Sequence, residues 1–320
     1  MTLGSLDPLA PDCRLDPQVA HRLRDMSLLV SLPSIASRLN NLISDPQTSV
    51  KTVREVVEMD PALTAKVISL ANSSYYSVRT AVKTVDRAIT IIGYQELGVM
   101  ALGLGLTETF NMSSAPKDFD VESLWLHCLA TSWLGQRLAS RIGFPEVGEV
   151  MIAGLLHELG VIILVSKFPI LFQTLMDLIL AGQSWLVAEN ALKARHELVG
   201  HELAKLWKLP EVYQQAILFH HAPEMATSHK IIVAATSLAD ALAHKIGFGL
   251  KTEVNEVDLG YSLNTLGMTP FTLQSFIRET ISKIEEITPM WRQMVKTSER
   301  VPDKAGFSSL MDNSVKSVKR

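Results

Sequence analysis

The residues able to do chemistry in this chain gather in its second half. His127 lies in LWLHCLATSWLG, flanked by Leu, Trp and Cys. His157 and Glu158 stand at the centre of GLLHELGVIIL, an otherwise apolar run from Gly154 to Leu164. His196 opens HELVGHELAKLW, His220 and His221 end YQQAILFHH, and Asp240 is the only acid in IIVAATSLADALA. Imidazole and carboxylate groups are ligands for divalent transition metals. A titratable pair such as His157-Glu158 is costly to bury unless something compensates it. Successive residues on a helix project ~100° apart, so both members of such a pair reach one ion lying against the helix side. Each residue taken singly also has an ordinary structural reading. His127 is then a hydrogen-bonded core histidine, His220-His221 a pair at a helix C-terminus interacting with its dipole, Asp240 a bridge between helices, and Glu158 a surface acid.

The elements that must position these groups read as helices throughout, because apolar positions recur at three- and four-residue spacing. A short helix is expected over Pro17–Met26 and another from Pro33, with the stripe Ile35, Leu39, Leu42 and Ile43. Ser49 caps a third carrying Val53, Val56 and Val57, and Asp60-Pro61 starts a fourth. Thr84 to Ile92 and the small-residue segment Tyr94 to Phe110 follow, and Asn111–Asp118 reads as a connection between two lobes. The second lobe is expected to hold helices over 121–142, 146–166, 169–180, 185–194, 197–207, 211–220 and 230–246, with two more in 250–297.

Composition narrows the function classes. The chain has 320 residues, 47% of them hydrophobic, enough for a sizeable core. A net charge of −3 and the absence of a dense Lys/Arg block before the last residues argue against a nucleic-acid partner. Two cysteines, Cys13 and Cys128, in no disulfide-type or metal-type spacing fit a reducing, cytoplasmic setting. No secretory signal pattern is expected in MTLGSLDPLAPDC. No stretch of ~18 residues runs free of charge or helix breaker, so no membrane span is expected either.

The order His, then His-acid, then a distant Asp on helices resembles the HD superfamily of metal-dependent phosphohydrolases. The match is closer to its HDOD branch (HD-related output domain) and extends from Leu28 to Ile287. In the first lobe it rests on LPSIASRLNNLI, VVEMDPALTAKVISLANSSYYS and TVDRAITIIGYQELGVMAL. In the second it rests on LWLHCLATS, GLLHELGVIIL, HELVGHELAKLWKLPEVYQQAILFHHAPE and Leu238-Ala239-Asp240. The resemblance implies an all-α fold of two helical lobes, the second an HD-like bundle. Its domain plan is an extension at 1–27, an HDOD domain at 28–297 (lobes 28–110 and 118–297), and a flexible tail at 298–320. It implies a bacterial, cytoplasmic signalling module whose partners are other signalling proteins, such as kinases, response regulators or cyclic-di-GMP enzymes, with no nucleic acid and no membrane.

Three departures from the catalytic pattern are visible. The pair is His157-Glu158 where the superfamily has His-Asp, which moves the carboxylate by about one C–C bond, ~1.5 Å. Val161 follows Gly160 where active relatives often carry a lysine for the substrate phosphate. The Gly-Tyr-Pro loop of the related cyclic-di-GMP phosphodiesterases is absent from HHAPEMATSHK. The expectation is therefore a degraded metal site made of His127, His157, Glu158, His196, His220, His221 and Asp240, holding one another as a polar knot, with no catalytic residue. No cofactor is expected beyond a divalent Fe, Mn or Mg ion if those residues retain one. Contact elements are sought in the cleft between lobes, in Leu206–Pro210 and in Ala101–Leu106, where core packing is the competing explanation. The alternative is an active metal-dependent phosphohydrolase on a nucleotide or cyclic dinucleotide, with Lys193 and Arg195 as the nearest phosphate-side cations.

After Ser298 no apolar stripe remains to be buried. A chain shortened to end at Thr297 is expected to keep the parent's melting temperature. A fall of more than ~4 °C, on the order of 1 kcal/mol or above at this size, would show that the tail docks.

Overall fold

A computed structural model of the chain describes residues 14–27, 49–58, 61–93, 96–98, 102–103, 106, 110, 112, 115–249 and 259–299. Fourteen α-helices and no strand lie among them. The helix expected from Pro33 to Ile43, Cys13 and the segment after residue 299 fall outside the described residues, as does part of the 94–118 region.

The first helix, α1 (Pro17–Ser27), is followed by α2 (Val50–Glu58), α3 (Pro61–Ala71) and α4 (Val85–Ile92). Local signals end these helices as the sequence predicts. Thr84 Oγ1 accepts from the Arg87 N–H at 3.4 Å to start α4, and Gly93 stops it at φ +88°. In α1, Leu23 and Val19 are buried, and the helix packs on α10 (His196–Leu206) of the second lobe. One continuous cluster takes in buried apolar residues of both halves, and a smaller one forms around Leu218, Phe219, Ala226 and Val233.

The second lobe begins with α5 (Val121–Arg141), capped by Asp120, whose carboxylate accepts from the Ser123 N–H at 3.1 Å. Then come α6 (Val147–Leu156), α7 (Leu159–Lys167), α8 (Pro169–Leu180), α9 (Trp185–Leu192), α10, α11 (Glu211–Phe219), α12 (Lys230–Ala243), α13 (Leu259–Thr265) and α14 (Pro270–Glu299). The single helix expected over 146–166 is broken. Leu156 ends α6, Leu159 starts α7, and His157-Glu158 forms the turn between them. Uniform apolarity hid this break, because helix and turn are equally buried here and share one hydrophobic pattern. The expected 230–246 helix ends at Ala243 and passes into a π-helical turn, His244–Phe248, in which Gly247 takes φ +92°.

Two close backbone crossings fix the lobe. A Cβ at Gly154 of α6 would stand 2.8 Å from the Ser132 backbone of α5. A Cβ at Gly160 of α7 would run into the His196 carbonyl, and Gly160 also lies against Gly200 of α10. Only residues without a side chain let these helices approach so closely. The long α14 lays Phe276, Ile284, Ile287 and Trp291 on the core, with Trp291 ring-stacked edge-on to Trp133 of α5 and to Phe248.

Within the candidate contact elements, Trp207 packs its ring 5.9 Å from that of Phe110, Leu209, Leu102 and Leu106 are buried, and Lys208 and Pro210 are exposed. By length and composition two stretches, 147–167 and 230–248, do reach the apolarity of a membrane span, contrary to the sequence expectation. Of their windows 89% and 61% is buried inside the molecule, which places both as core helices. The Cys128 thiol is unpaired by disulfide and buried on α5, and burial pushes its pKa well up.

Candidate metal centre

All seven residues singled out from sequence converge. His127 comes from α5, His157-Glu158 from the α6–α7 turn, His196 from the first turn of α10, His220-His221 from just beyond α11, and Asp240 from the last turns of α12. Five of them are at most 1% exposed, His196 is 2% and His221 9%.

The outer ring nitrogens are fixed by acceptors. His127 Nδ1 lies 3.0 Å from the Phe248 carbonyl, His157 Nδ1 2.8 Å from the Gly154 carbonyl, and His220 Nδ1 2.8 Å from the Ile217 carbonyl. His196 Nδ1 lies 2.8 Å from Glu189 Oε1. A carbonyl only accepts, so each Nδ1 donates, and the lone pair of a neutral ring is left on Nε2. Those Nε2 atoms face one another: His127 to His157 at 3.0 Å, His196 to His220 at 3.3 Å and His196 to His221 at 3.2 Å. Lone pairs so close need a proton or a cation between them.

Glu158 lies at the junction. Its Oε1 is 3.9 Å from His127 Nε2 and 3.8 Å from His157 Nε2, and its Oε2 is 3.8 Å from His196 Nε2. Neither oxygen has a hydrogen-bond partner among the described residues. The expected polar knot therefore does not close around Glu158, because these gaps exceed hydrogen-bond length. They match instead the roughly 3–4 Å between two atoms that share one ion at about 2.0–2.2 Å from each. Asp240 lies closer to its imidazoles, though its Oδ1 too makes no well-formed hydrogen bond among the described residues. Its Oδ1 is 3.2 Å from His127 Nε2 and 3.0 Å from His244 Nδ1, and its Oδ2 is 3.8 Å from His221 Nδ1. Burial opposes its ionisation, but the surrounding imidazoles of His127, His157 and His244 hold its carboxyl well below the usual range.

Three further groups belong to the centre and were not anticipated from sequence: Glu189, Glu197 and His244. Glu189 and Glu197 are both buried beside His196. His244 stands one helical turn after Asp240, a spacing that could have flagged it, and its ring lies 4.6 Å from that of His127. Burial works against the charge on His196, yet Glu189, Glu197 and Glu158 raise its pKa well above the ordinary value. Burial and the adjacent imidazoles of His221, His157 and His196 push His220 well below it. Arg195 is itself buried and ion-paired to Glu197, so it is not presented to a substrate phosphate. Lys193 serves as the left-handed cap of α9 at φ 50°, and its carbonyl accepts from the Asp16 N–H.

The donor set fits a divalent transition metal. Four carboxylates and six imidazoles lie together, the Nε2 atoms of His127, His157, His196, His220 and His221 converge, and the Glu158 carboxylate is aimed at three of them without bonding to any. His127, His157 and Glu158 form one group of candidate ligands, His196, His220 and His221, sharing Glu158, form a second, and His127, Asp240 and His244 form a third. A cavity of about 450 Å³ lies beyond the 244–248 turn, lined by Leu126, Phe248, Pro289 and Arg292, and none of the centre's histidines or ligand carboxylates opens into it.

Comparison with known proteins settles the family. Residues 29–223 match the HDOD domain. The chain belongs to the HDOD family. Among solved HDOD-like folds it is similar to an HDOD domain protein of unknown function from Geobacter sulfurreducens (24% identity, TM-score 0.71, covering 88% of this chain and 98% of that one). It is also similar to a candidate signal transduction protein from Marinobacter aquaeolei VT8 (24%, TM-score 0.76, 87% and 64%). A candidate phosphohydrolase from Shewanella amazonensis SB2B shares the fold at 21% identity (TM-score 0.65, 87% and 98%). A curated relative, an uncharacterized protein of Treponema pallidum (strain Nichols), is 24% identical over 234 residues, 71% of this chain. This HDOD chain spans 44% of that relative's length.

The centre yields a direct prediction. Glu158→Gln should raise the melting temperature of metal-free protein in EDTA by about 2–4 °C, since it replaces an unbonded buried charge with an amide able to donate to imidazole, about 1 kcal/mol. The same substitution should lower bound metal in elemental analysis. A lower melting temperature in EDTA would mean that Glu158 is held by protein partners after all.

Proposed function

We propose that this HDOD chain is a non-catalytic signalling module, acting by protein–protein contacts in the bacterial cytoplasm, with residues 28–297 as its working unit. The partners proposed are kinases, response regulators or cyclic-di-GMP enzymes. One observation carries the reading: the seven ligand residues are buried, none of them more than 9% exposed. A hydrolase needs a coordination position open to substrate and water. The position after Gly160 holds the buried Val161, and Arg195 is tied to Glu197, so neither position supplies the charge stabilisation that phosphoryl transfer requires. A divalent ion at His127, His157, Glu158, His196, His220, His221 and Asp240 would cross-link the second lobe and stabilise it by mass action.

The completeness of that ligand set favours one second reading, a metal-dependent phosphohydrolase. A single assay separates the two. Purified protein with Mn²⁺, Fe²⁺ or Mg²⁺ is expected to hydrolyse neither cyclic di-GMP nor bis(p-nitrophenyl) phosphate faster than its His157→Ala variant. Turnover by the parent that His157→Ala abolishes would replace the scaffold reading with the hydrolase one.

A further inference from the structure

We propose that Glu189 is the positioning residue of the centre: its carboxylate orients His196 so that Nε2 faces the other ligands, and thereby sets the affinity for a divalent transition-metal ion. The inference rests on reading the cluster as a metal centre. Glu189 lies in a short helix, α9, whose start is capped by Ser184 and whose end is closed by the left-handed Lys193. The chain then turns back, the Ala194 N–H bonding the Glu189 carbonyl at 3.0 Å, and α10 begins at His196. This turn brings three donors onto one oxygen. Glu189 Oε1 accepts from Trp185 Nε1–H at 2.9 Å, from the His196 backbone N–H at 3.1 Å and from His196 Nδ1–H at 2.8 Å. The side chain is 1% exposed, so the carboxylate meets its donors away from water.

The other rings are anchored differently. His127, His157 and His220 each give Nδ1–H to a backbone carbonyl, which carries no net charge. His196 alone among these four is held by a carboxylate. That contact fixes its tautomer, leaves Nε2 as the ligand atom, and makes the ring a stronger donor toward a cation. His196 is also the ring nearest the join between the two ligand groups, with Nε2 at 3.2 Å from His221, 3.3 Å from His220 and 3.8 Å from Glu158. Control at His196 is therefore felt on the side where His220 and His221 meet Glu158.

A purely structural Glu189 would join α9 to α10 and move only stability, so the test measures affinity. The full chain is stripped with EDTA, and its Zn²⁺ dissociation constant is measured by competition against a fluorescent chelator at 25 °C. Parent, Glu189→Gln, Glu189→Ala and His157→Ala are compared, with the metal-free melting temperature of each. Glu189→Gln keeps the size and an accepting oxygen, and so guards against loss of folding. The expected result is Zn²⁺ binding by the parent, weakened by about 10–100-fold in Glu189→Gln, the range that loss of a carboxylate behind a ligand histidine produces. Heteronuclear NMR should show His196 protonated on Nδ1 with Zn²⁺ on Nε2 in the parent. Parent binding with both Glu189 variants within 2-fold of it would overturn the inference and leave the metal centre standing. A parent that binds Zn²⁺ no better than His157→Ala would overturn the metal centre and this role of Glu189 with it.

Discussion

Gly160→Ala should melt about 6–12 °C below the parent or fail to accumulate as soluble protein. The added methyl would enter the His196 carbonyl from a helix whose backbone already touches Gly200. Relief requires α7 and α10 to separate, which also pulls His196 away from Glu158. Overpacking a tight core costs about 1–3 kcal/mol and more when backbone must move, and at this size each kcal/mol is worth roughly 2–4 °C. Gly103→Ala is the control: its methyl would meet only Leu155 side-chain carbons at 3.8 Å. It should be neutral or slightly stabilising, because alanine is the better helix former. Equal melting temperatures for the two variants would show that the α7–α10 crossing is slacker than described.

Asp240→Ala should destabilise the protein by about 3–5 kcal/mol, the cost of stranding partners of a buried ion pair. Asp240 is the acid against which His127 and His244 are set, at 3.2 and 3.0 Å. Without it His127 Nε2 keeps His157 Nε2 at 3.0 Å and His244 Nδ1 keeps the backbone carbonyl of residue 240 at 3.1 Å, and no carboxylate stands between the two rings. The loss is expected in EDTA as well as in buffer with metal, because these contacts are made by protein alone. A loss present with metal and absent in EDTA would assign Asp240 entirely to the ion. The parent melted with and without EDTA completes the comparison. A large EDTA-dependent fall, together with one or two metal equivalents by elemental analysis, shows that the ion and not the side-chain network carries most of the stability.

Much of this was legible in the residues. The 3.6-residue periodicity gave an all-α chain, and local signals such as Ser49 before α2 and the Thr84–Ile92 span marked helix ends because their chemistry is local. The seven ligand-type residues stood out because each was a polar group in an apolar setting. What escaped was decided by tertiary contact. Glu189 in WLVAENAL reads as a solvent-side acid on a short helix, and only the turn into α10 places it beside Trp185 and His196. Glu197 reads as a first-turn acid favoured by the helix dipole, yet it is buried against Arg195. The turn at His157-Glu158 left no sequence mark because it is as buried as the helices it joins. The hydrogen bonds expected to close on Glu158 failed for a geometric reason: three imidazoles reach within 3.9 Å, and none closes the last ångström.

The turn from His244 to Phe248 has a consequence for time rather than for affinity. Its first residue grips Asp240, its last residue's carbonyl grips His127, and Gly247 between them sits at φ +92°. The His244 side chain, 19% exposed, is the member of the centre nearest to solvent. For an ion held among these side chains, opening of this segment would be a route in and out, and local opening carries its own free energy. With that route closed most of the time, loading would favour the moment of folding over later exchange. The centre would in that case keep a record of the metal supply present when the molecule was made, and the surface it shapes would carry that history for the protein's lifetime.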